Sequence, residues 1–300
     1  FIAIGSLIFL GMATRKFEKN LAKYIGTKYA VAVNSGTDAL FLSLKALNIG
    51  AGDEVITVSH TFIATIQAIV HTGATPILVD VGEDELMDTS KLMGAITPRT
   101  KAIVPVHFHG KVAEMSRIMD IAKLHNLFVV EDVAQALGAC YICRHSAPGI
   151  CFDDKKMAGS FGDTGCFSFN FPKTLGAYGD AGGITTNDEE LYKKLLLLRN
   201  HWNITQGSVK QEDYPQPEEM GWGWKSRMDN IQAAILLVKF KYYEKMSKRR
   251  KEIARMYQRG FENLPIELPI QWSGDIVQEY IICVENRDEF AKFMKKKGVE

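Results

Sequence analysis

Four short stretches of this sequence carry side chains with chemistry to offer. Asn34-Ser35-Gly36-Thr37-Asp38 opens a helical pattern. Glycine there allows close backbone approach, and hydroxyls with the free N–H groups of a helix start can hold a phosphate. The same residues also read as an ordinary N-cap by Ser35 or Thr37. Ser59-His60-Thr61-Phe62 places an aromatic ring just past an apolar run. Phe62 can lie on a flat ligand ring by offset stacking, or it can fill the core. In Glu131-Asp132-Val133-Ala134-Gln135 a carboxylate follows another apolar run, suited to a protonated heterocycle nitrogen or to capping the next helix. Lys173 sits in the apolar, Gly-rich run Phe167-Ser168-Phe169-Asn170-Phe171-Pro172-Lys173-Thr174-Leu175-Gly176. Burial lowers a lysine pKa and a neutral amine can form a Schiff base, whereas a lysine on a turn stays solvated. Taken together these are a phosphate cup, a ring-stacking aromatic, a pyridinium partner and a Schiff-base lysine, the set that pyridoxal phosphate requires.

The elements that must position them follow from the hydrophobic pattern. Short β-branched runs at 29–33, 54–58, 76–80, 101–106 and 127–131 alternate with helical stretches at 38–47, 61–71, 90–96 and 114–124. Such alternation predicts βαβ units and a mostly parallel sheet with helices on both faces. Ligands of open α/β sheets bind beyond the carboxyl ends of the strands, where the four stretches fall. The Gly-, Phe- and Ser-rich segment 159–186 reads as strand and loop, and 188–200 as a helix. The polar segment 206–219 reads as an exposed loop. A long helical stretch over 228–261, a strand at 279–284 and a helix at 287–297 complete the reading.

Three hundred residues suit about two domains, or one large α/β domain with an appendage. A net charge of +1 gives no electrostatic footprint for nucleic acid or an acidic membrane surface. With 46% hydrophobic and 24% charged residues the chain can build a core large enough for a cofactor site, which excludes wholesale disorder. No apolar run is long enough to span a bilayer. The apolar opening Phe1-Ile2-Ala3-Ile4 has no basic n-region and no initiator Met, so we read it as the stump of a longer chain; Gly298-Val299-Glu300 reads as a cut end. Five cysteines are too few for a disulfide scaffold, and a reducing, cytoplasmic location is the default.

At this point the chain resembles the sugar aminotransferases of the DegT/DnrJ/StrS family. The motifs are VNSGTDAL at 33–40, GDEVITVSHTFIAT at 52–65, GATPILVDV at 73–81, VPVHFHG at 104–110, VVEDVAQALGA at 129–139, GSFGDTGCFSFNFPKTLGAYGDAGGI at 159–184 and WKSRMDNIQAAIL at 224–236. The resemblance begins near Gly11 and runs to the end. It implies the α/β, type I (aspartate aminotransferase-like) fold of pyridoxal-phosphate-dependent transferases. A large, mostly parallel-sheet domain is expected over 1–240, with the start of a smaller α+β C-terminal domain, incomplete here, over 241–300.

The resemblance also implies roles. Lys173 matches the lysine that carries the cofactor, Asp132 the acid on the pyridine nitrogen, and Gln135 the residue near the phenolic oxygen. Gly36, Thr37 and Ser168 match the phosphate cup, and Phe62 the stacking aromatic. The turn at 224–229, with Lys225, matches a segment that family dimers insert into the partner's site. The implied reaction is amino transfer from glutamate to a keto group of a nucleotide-linked deoxysugar, making an amino sugar for glycan, lipopolysaccharide or antibiotic assembly. Pyridoxal-phosphate sugar dehydratases of the family carry His in place of the lysine, and Lys173 disfavours that alternative. Retention of Lys173, Asp132 and the SGT cup disfavours a non-catalytic binding protein on the same fold.

This chain departs from the family's pattern in three places. Lys225 stands where the family usually has Asn, and Asn170 where it often has His. The stretch 140–157 is longer than usual and holds Cys140, Cys143, His145 and Cys151. Their spacing matches no standard zinc motif, so we read a thiol-bearing surface loop. His107 and His109, at i and i+2, would share a strand face as a conceivable metal pair, but no third ligand lies nearby in sequence. Hydrogen-bonding roles near cofactor or substrate are the reading adopted, and no metal is expected.

Overall fold

The computed structural model describes residues 11–141, 156–203, 221–270 and 274–299. Seven strands form one sheet: β1 (Tyr29–Val33), β2 (Glu54–Val58), β3 (Thr75–Val79), β4 (Thr100–Ile103), β5 (Phe128–Asp132), β6 (Thr164–Ser168) and β7 (Gly182–Thr186). Their order is β1-β7-β6-β5-β4-β2-β3. From β6 to β3 every pairing is parallel, and β7 runs antiparallel to both β6 and β1. This is the mostly parallel α/β sheet that the alternation predicts.

Period-two alternation sends neighbouring strand residues to opposite faces. Ile56, Ile103 and Val129 join one buried cluster with Phe17, Leu21 and Leu236. Val55, Ala102 and Val130 join the other with Leu42, Ile69 and Leu195. Both faces are covered by helices, which is why these strands read as continuous apolar runs.

The helices are α1 (Met12–Ile25), α2 (Gly36–Ala46), α3 (Ile63–Thr72), the one-turn α4 (Leu92–Ala95), α5 (Met115–His125), α6 (Glu189–Leu198), α7 (Asn230–Phe240), α8 (Tyr243–Phe261) and α9 (Arg287–Lys296). The sequence reading did not include α1, whose Phe17, Leu21 and Ile25 are buried. Its buried Glu18 does a specific job at the sheet edge. Glu18 Oε1 accepts from the Ala32 N–H at 2.9 Å and from Arg199 at 2.5 Å, and Arg199 donates to the Ala32 carbonyl at 2.8 Å. The outward N–H and carbonyl of Ala32 in β1 are thereby satisfied, which blunts an edge that would otherwise invite strand pairing.

Two expectations need correction. The helical stretch 228–261 breaks at Lys241-Tyr242. The break turns Tyr243 into the core, where its hydroxyl donates to the Leu137 carbonyl at 2.6 Å. The expected strand at 279–284 is reduced to a single bridge between Glu267 and Cys283. The expected loop at 206–219 lies outside the described residues, as do Cys143, His145 and Cys151.

Candidate functional site

The carboxyl ends of β5 and β6 and the start of α2 face one cavity of about 430 Å³, a volume within the usual range for ligand sites. Gly36, Thr37, Phe62, Asp132, Gln135, Ser168 and Lys173 all line it. Residues separated by more than a hundred positions in sequence meet because parallel strands deliver their ends to the same side of the sheet.

The floor is the start of α2. Ser35 is the N-cap, its hydroxyl accepting from the Asp38 N–H at 3.1 Å. Gly36 packs so closely on β6 that a Cβ there would lie 2.7 Å from Ser168 Cβ. No other residue type fits without moving the helix. The first N–H groups of the helix have no intrahelical partner and, with the Thr37 and Ser168 hydroxyls, form an anion cradle.

Asp132 ends β5 with a relative exposure of 5%. Its two oxygens accept from the Thr65 hydroxyl at 2.8 Å and from the Ala134 N–H at 3.1 Å, which fixes the plane of the carboxylate. Burial pushes its pKa above the usual carboxylate range. A cationic ring nitrogen is the partner that would reverse this cost. Phe62 is the N-cap residue of α3 and 69% exposed, so its ring stands at the cavity wall rather than in the core.

Lys173 sits on the turn after β6, its N–H bonded to the Asn170 carbonyl at 2.9 Å. Its ammonium makes no hydrogen bond or ion pair among the described residues. The turn itself is clamped from the far end of the chain. Gln278 accepts from the Thr174 N–H and donates to the Pro172 carbonyl, each at 3.0 Å, bracketing Lys173 on both sides. The Thr174 hydroxyl donates to the buried Tyr243 hydroxyl at 3.0 Å. Sequence reasoning missed Gln278 because nothing in its local pattern distinguishes it.

Gln135 Oε1 accepts from the His109 N–H at 2.7 Å, which leaves the amide NH2 as a donor at the cavity. Asn170 also lines the cavity, and its amide donates to Asp180 at 2.7 Å. Lys225 lies in an adjoining cleft with Thr37, Asp38 and Trp224. Only Thr37 belongs to both, and Ser226 ties this segment to α2 through a 2.6 Å bond to Asp38.

His107 and His109 do not share a strand face. β4 ends at Ile103, and the turn Phe108–Gly110 puts His109 at φ 55, so the two rings part. His107 is fully buried, its Nε2 2.9 Å from Glu131 and its Nδ1 accepting from the Ala113 N–H at 3.1 Å. Glu131 in turn accepts from the N–H groups of Gly159, Phe161 and Gly162 at 2.7–2.8 Å. The pair anchors the chain into β6 rather than binding a ligand.

The cavity fits pyridoxal phosphate. It pairs an anion cradle that a Cβ would fill with a buried carboxylate wanting a cation and a lysine wanting a partner.

Comparison with known proteins agrees. The model of the DegT/DnrJ/EryC1/StrS aminotransferase family matches residues 2–300. The spore coat polysaccharide biosynthesis protein SpsC of Bacillus subtilis is 44% identical over 262 residues, 85% of this chain and 63% of that protein. The UDP-N-acetyl-3-dehydro-alpha-D-glucosamine 3-aminotransferase of Acidithiobacillus ferrooxidans is 39% identical over 295 residues, 97% of this chain and 73% of the relative. The chain therefore spans about two thirds to three quarters of the length of these relatives. Among solved structures, S. venezuelae DesV in complex with a ketimine intermediate superposes with a TM-score of 0.87 at 36% identity, over 100% of this chain and 76% of that one. The pyridoxal-phosphate form of Spr1654 from Streptococcus pneumoniae gives 0.83 at 30% identity, over 97% and 76%.

Proposed function

The chain belongs to the DegT/DnrJ/EryC1/StrS aminotransferase family, and from that premise we propose that it moves an amino group onto a keto carbon of a nucleotide-linked deoxysugar. Pyridoxal 5′-phosphate is the cofactor and glutamate the amino donor. The product is an amino sugar for glycan, lipopolysaccharide or antibiotic assembly. The observation that carries the reading is the meeting of Lys173, Asp132 and the Gly36–Ser168 cradle in one cavity.

When bound, pyridoxal phosphate supplies a ring that accepts the electron pair left when a proton leaves the donor carbon. The residues do the rest. The N–H groups of Gly36 and Thr37 and the Ser168 hydroxyl would hold the phosphate. Asp132, held by Thr65 and Ala134, would keep the ring nitrogen protonated. The Gln135 amide would donate toward the phenolic oxygen, and Phe62 would cover the ring and exclude water. Lys173 would hold the cofactor through its amine and, when free, would be the general base and acid that moves a proton at the donor carbon.

In this reading residues 1–240 belong to the cofactor domain and 241–300 to a smaller one. Two further features support a homodimer with shared sites. Ile63, Val70 and Leu78 near β3, and Ile231 and Val238 on α7, are large apolar side chains each more than half exposed. Lys225 shares a cleft with Thr37 and lies in the turn that resembles the segment family dimers insert into the partner's site. Cys140, Cys166 and Cys283 are free thiols, which supports a reducing, cytoplasmic setting. Among the described residues no helix is long and apolar enough to cross a membrane.

The test is direct. Borohydride added to the protein with pyridoxal phosphate should fix the cofactor on the peptide bearing Lys173, read by mass. Glutamate with a panel of keto sugar nucleotides should then give an aminated product. Absence of label at Lys173 overturns the assignment.

A further inference from the structure

The segments that follow β2, β3 and β4 bring together three side chains with no part in the reaction above. His60, Glu85 and His109 each offer one ligand atom, and these atoms lie within 4.8 Å of one another. Their separations in sequence match no metal motif, so only the parallel strands make them neighbours. The His60 ring meets Phe108 edge-on at 4.6 Å and His109 at 6.2 Å; Phe108 lines the cofactor cavity, while His109 and Glu85 line a neighbouring pocket that shares Glu279 with it.

Two of the three ligands already have supporting partners of the kind that metal sites use. His109 Nδ1 lies 3.0 Å from Glu279 Oε2. A carboxylate on one ring nitrogen fixes the tautomer and leaves Nε2 as the ligating atom. Glu85 Oε2 lies 2.8 Å from the Lys111 ammonium, which also donates to the Asp84 carbonyl at 3.1 Å. A carboxylate has about four lone-pair sites, so this contact orients Glu85 without using it up. Glu85, Asp275 and Glu279 line this pocket with Lys111, Lys251 and Arg255, so its charges balance, and the ligand set rather than a net charge is what suits a cation. Glu85 and His109 both hold positive φ, at 65 and 55, a conformation non-glycine residues rarely adopt.

We propose that His60, Glu85 and His109 form a three-ligand site for a divalent transition metal of the zinc class, beside the cofactor cavity. Two imidazoles and one carboxylate suit zinc rather than magnesium or calcium, which take oxygen ligands. Three protein ligands leave a fourth position for water or for a hydroxyl or phosphate oxygen of the substrate. The ion would also brace the segment carrying Glu279 and Gln278, which is joined to the same turn by the Ile276 N–H to Gly110 carbonyl bond at 3.0 Å. Gln278 clamps the Lys173 turn, so the ion would stiffen the cofactor site through the backbone. The ligand set itself does not depend on the transamination reading; only the effect on the Lys173 turn rests on it.

Chelator-stripped protein saturated with pyridoxal phosphate, with Cys140, Cys143 and Cys151 changed to Ser to remove competing thiols, is dialysed against zinc alone. The expected result is one tightly held zinc per chain. His60→Ala should weaken it at least a hundred-fold; His60 is exposed, so this change leaves the packing intact. Glu279→Gln should weaken it about ten-fold, the usual cost of losing a carboxylate behind a ligating histidine. Cobalt(II) should give a four-coordinate visible spectrum in the parent that His60→Ala and His109→Ala lack. No zinc retained by the parent, or equal retention by His60→Ala, overturns the proposal.

Discussion

Gly36→Ala tests whether the phosphate cradle depends on contact between α2 and β6. The added Cβ would lie 2.7 Å from Ser168 Cβ and 3.2 Å from its Cα and Oγ. Carbons prefer about 3.5–4.0 Å, so the overlap approaches roughly 1 Å. β6 cannot yield, because Ser168 is paired with Gly182 of β7, and a Cβ on Gly182 would itself lie 2.2 Å from the Ser35 carbonyl. Backbone thus lies on backbone on both sides, and the start of α2 must move. In the apo protein it can move; with a phosphate held against its N–H groups it cannot, so the strain falls on binding. Overpacking of this size costs about 1–3 kcal/mol. At about 1.4 kcal/mol per decade, cofactor affinity should fall about five- to 150-fold. Titration of apo-protein with pyridoxal phosphate, followed by absorbance, measures it. The double variant Gly36→Ala/Ser168→Gly removes the nearest atoms and should bind more tightly than Ser168→Gly and Gly36→Ala combine to predict. Wild-type affinity in Gly36→Ala would refute the close-packing argument.

Lys173→Ala should fold and lose transamination; normal turnover by the folded variant would remove Lys173 from the chemistry. Asp132→Asn should lose most activity yet make the apo-protein more stable at neutral pH. The sign follows from its raised pKa: the native state holds that proton more tightly than the unfolded chain, so stability falls as pH rises through the native value. Relieving a buried charge of this kind contributes about 1 kcal/mol, or about 2 °C in a thermal melt; an unchanged or lower apo melting temperature contradicts the account. Lys225→Ala should weaken cofactor affinity about ten- to a hundred-fold if its ammonium reaches a partner's phosphate, since charge-assisted contacts contribute about 1.5–3 kcal/mol. Unchanged affinity with a raised KM for the sugar nucleotide would place it at the substrate instead. Glu131→Gln should destabilise by about 3 kcal/mol, measured by denaturant unfolding, because an amide nitrogen must then face some of the N–H groups that the carboxylate accepts from.

Most strand and helix positions, the α/β class and the candidates for a cofactor site were legible in the chain because they are local properties. Ile56 and Val55 alternate faces by strand geometry, Ser35-Gly36-Thr37 is a helix start wherever it occurs, and Lys173 is conspicuous in an apolar segment. Long-range closure is different, since it depends on which loops the sheet brings side by side. The split between α7 and α8 follows from Tyr243 reaching Leu137, more than a hundred residues away. Gln278 is an ordinary glutamine until the fold lays its amide along the Lys173 turn. His107 and His109 look like a pair by spacing, but one turn of backbone sends the first to Glu131 and the second toward His60 and Glu85. Neighbours along the chain were thus separated and distant residues joined, because parallel strands collect their carboxyl ends on one edge of the sheet whatever their order in sequence.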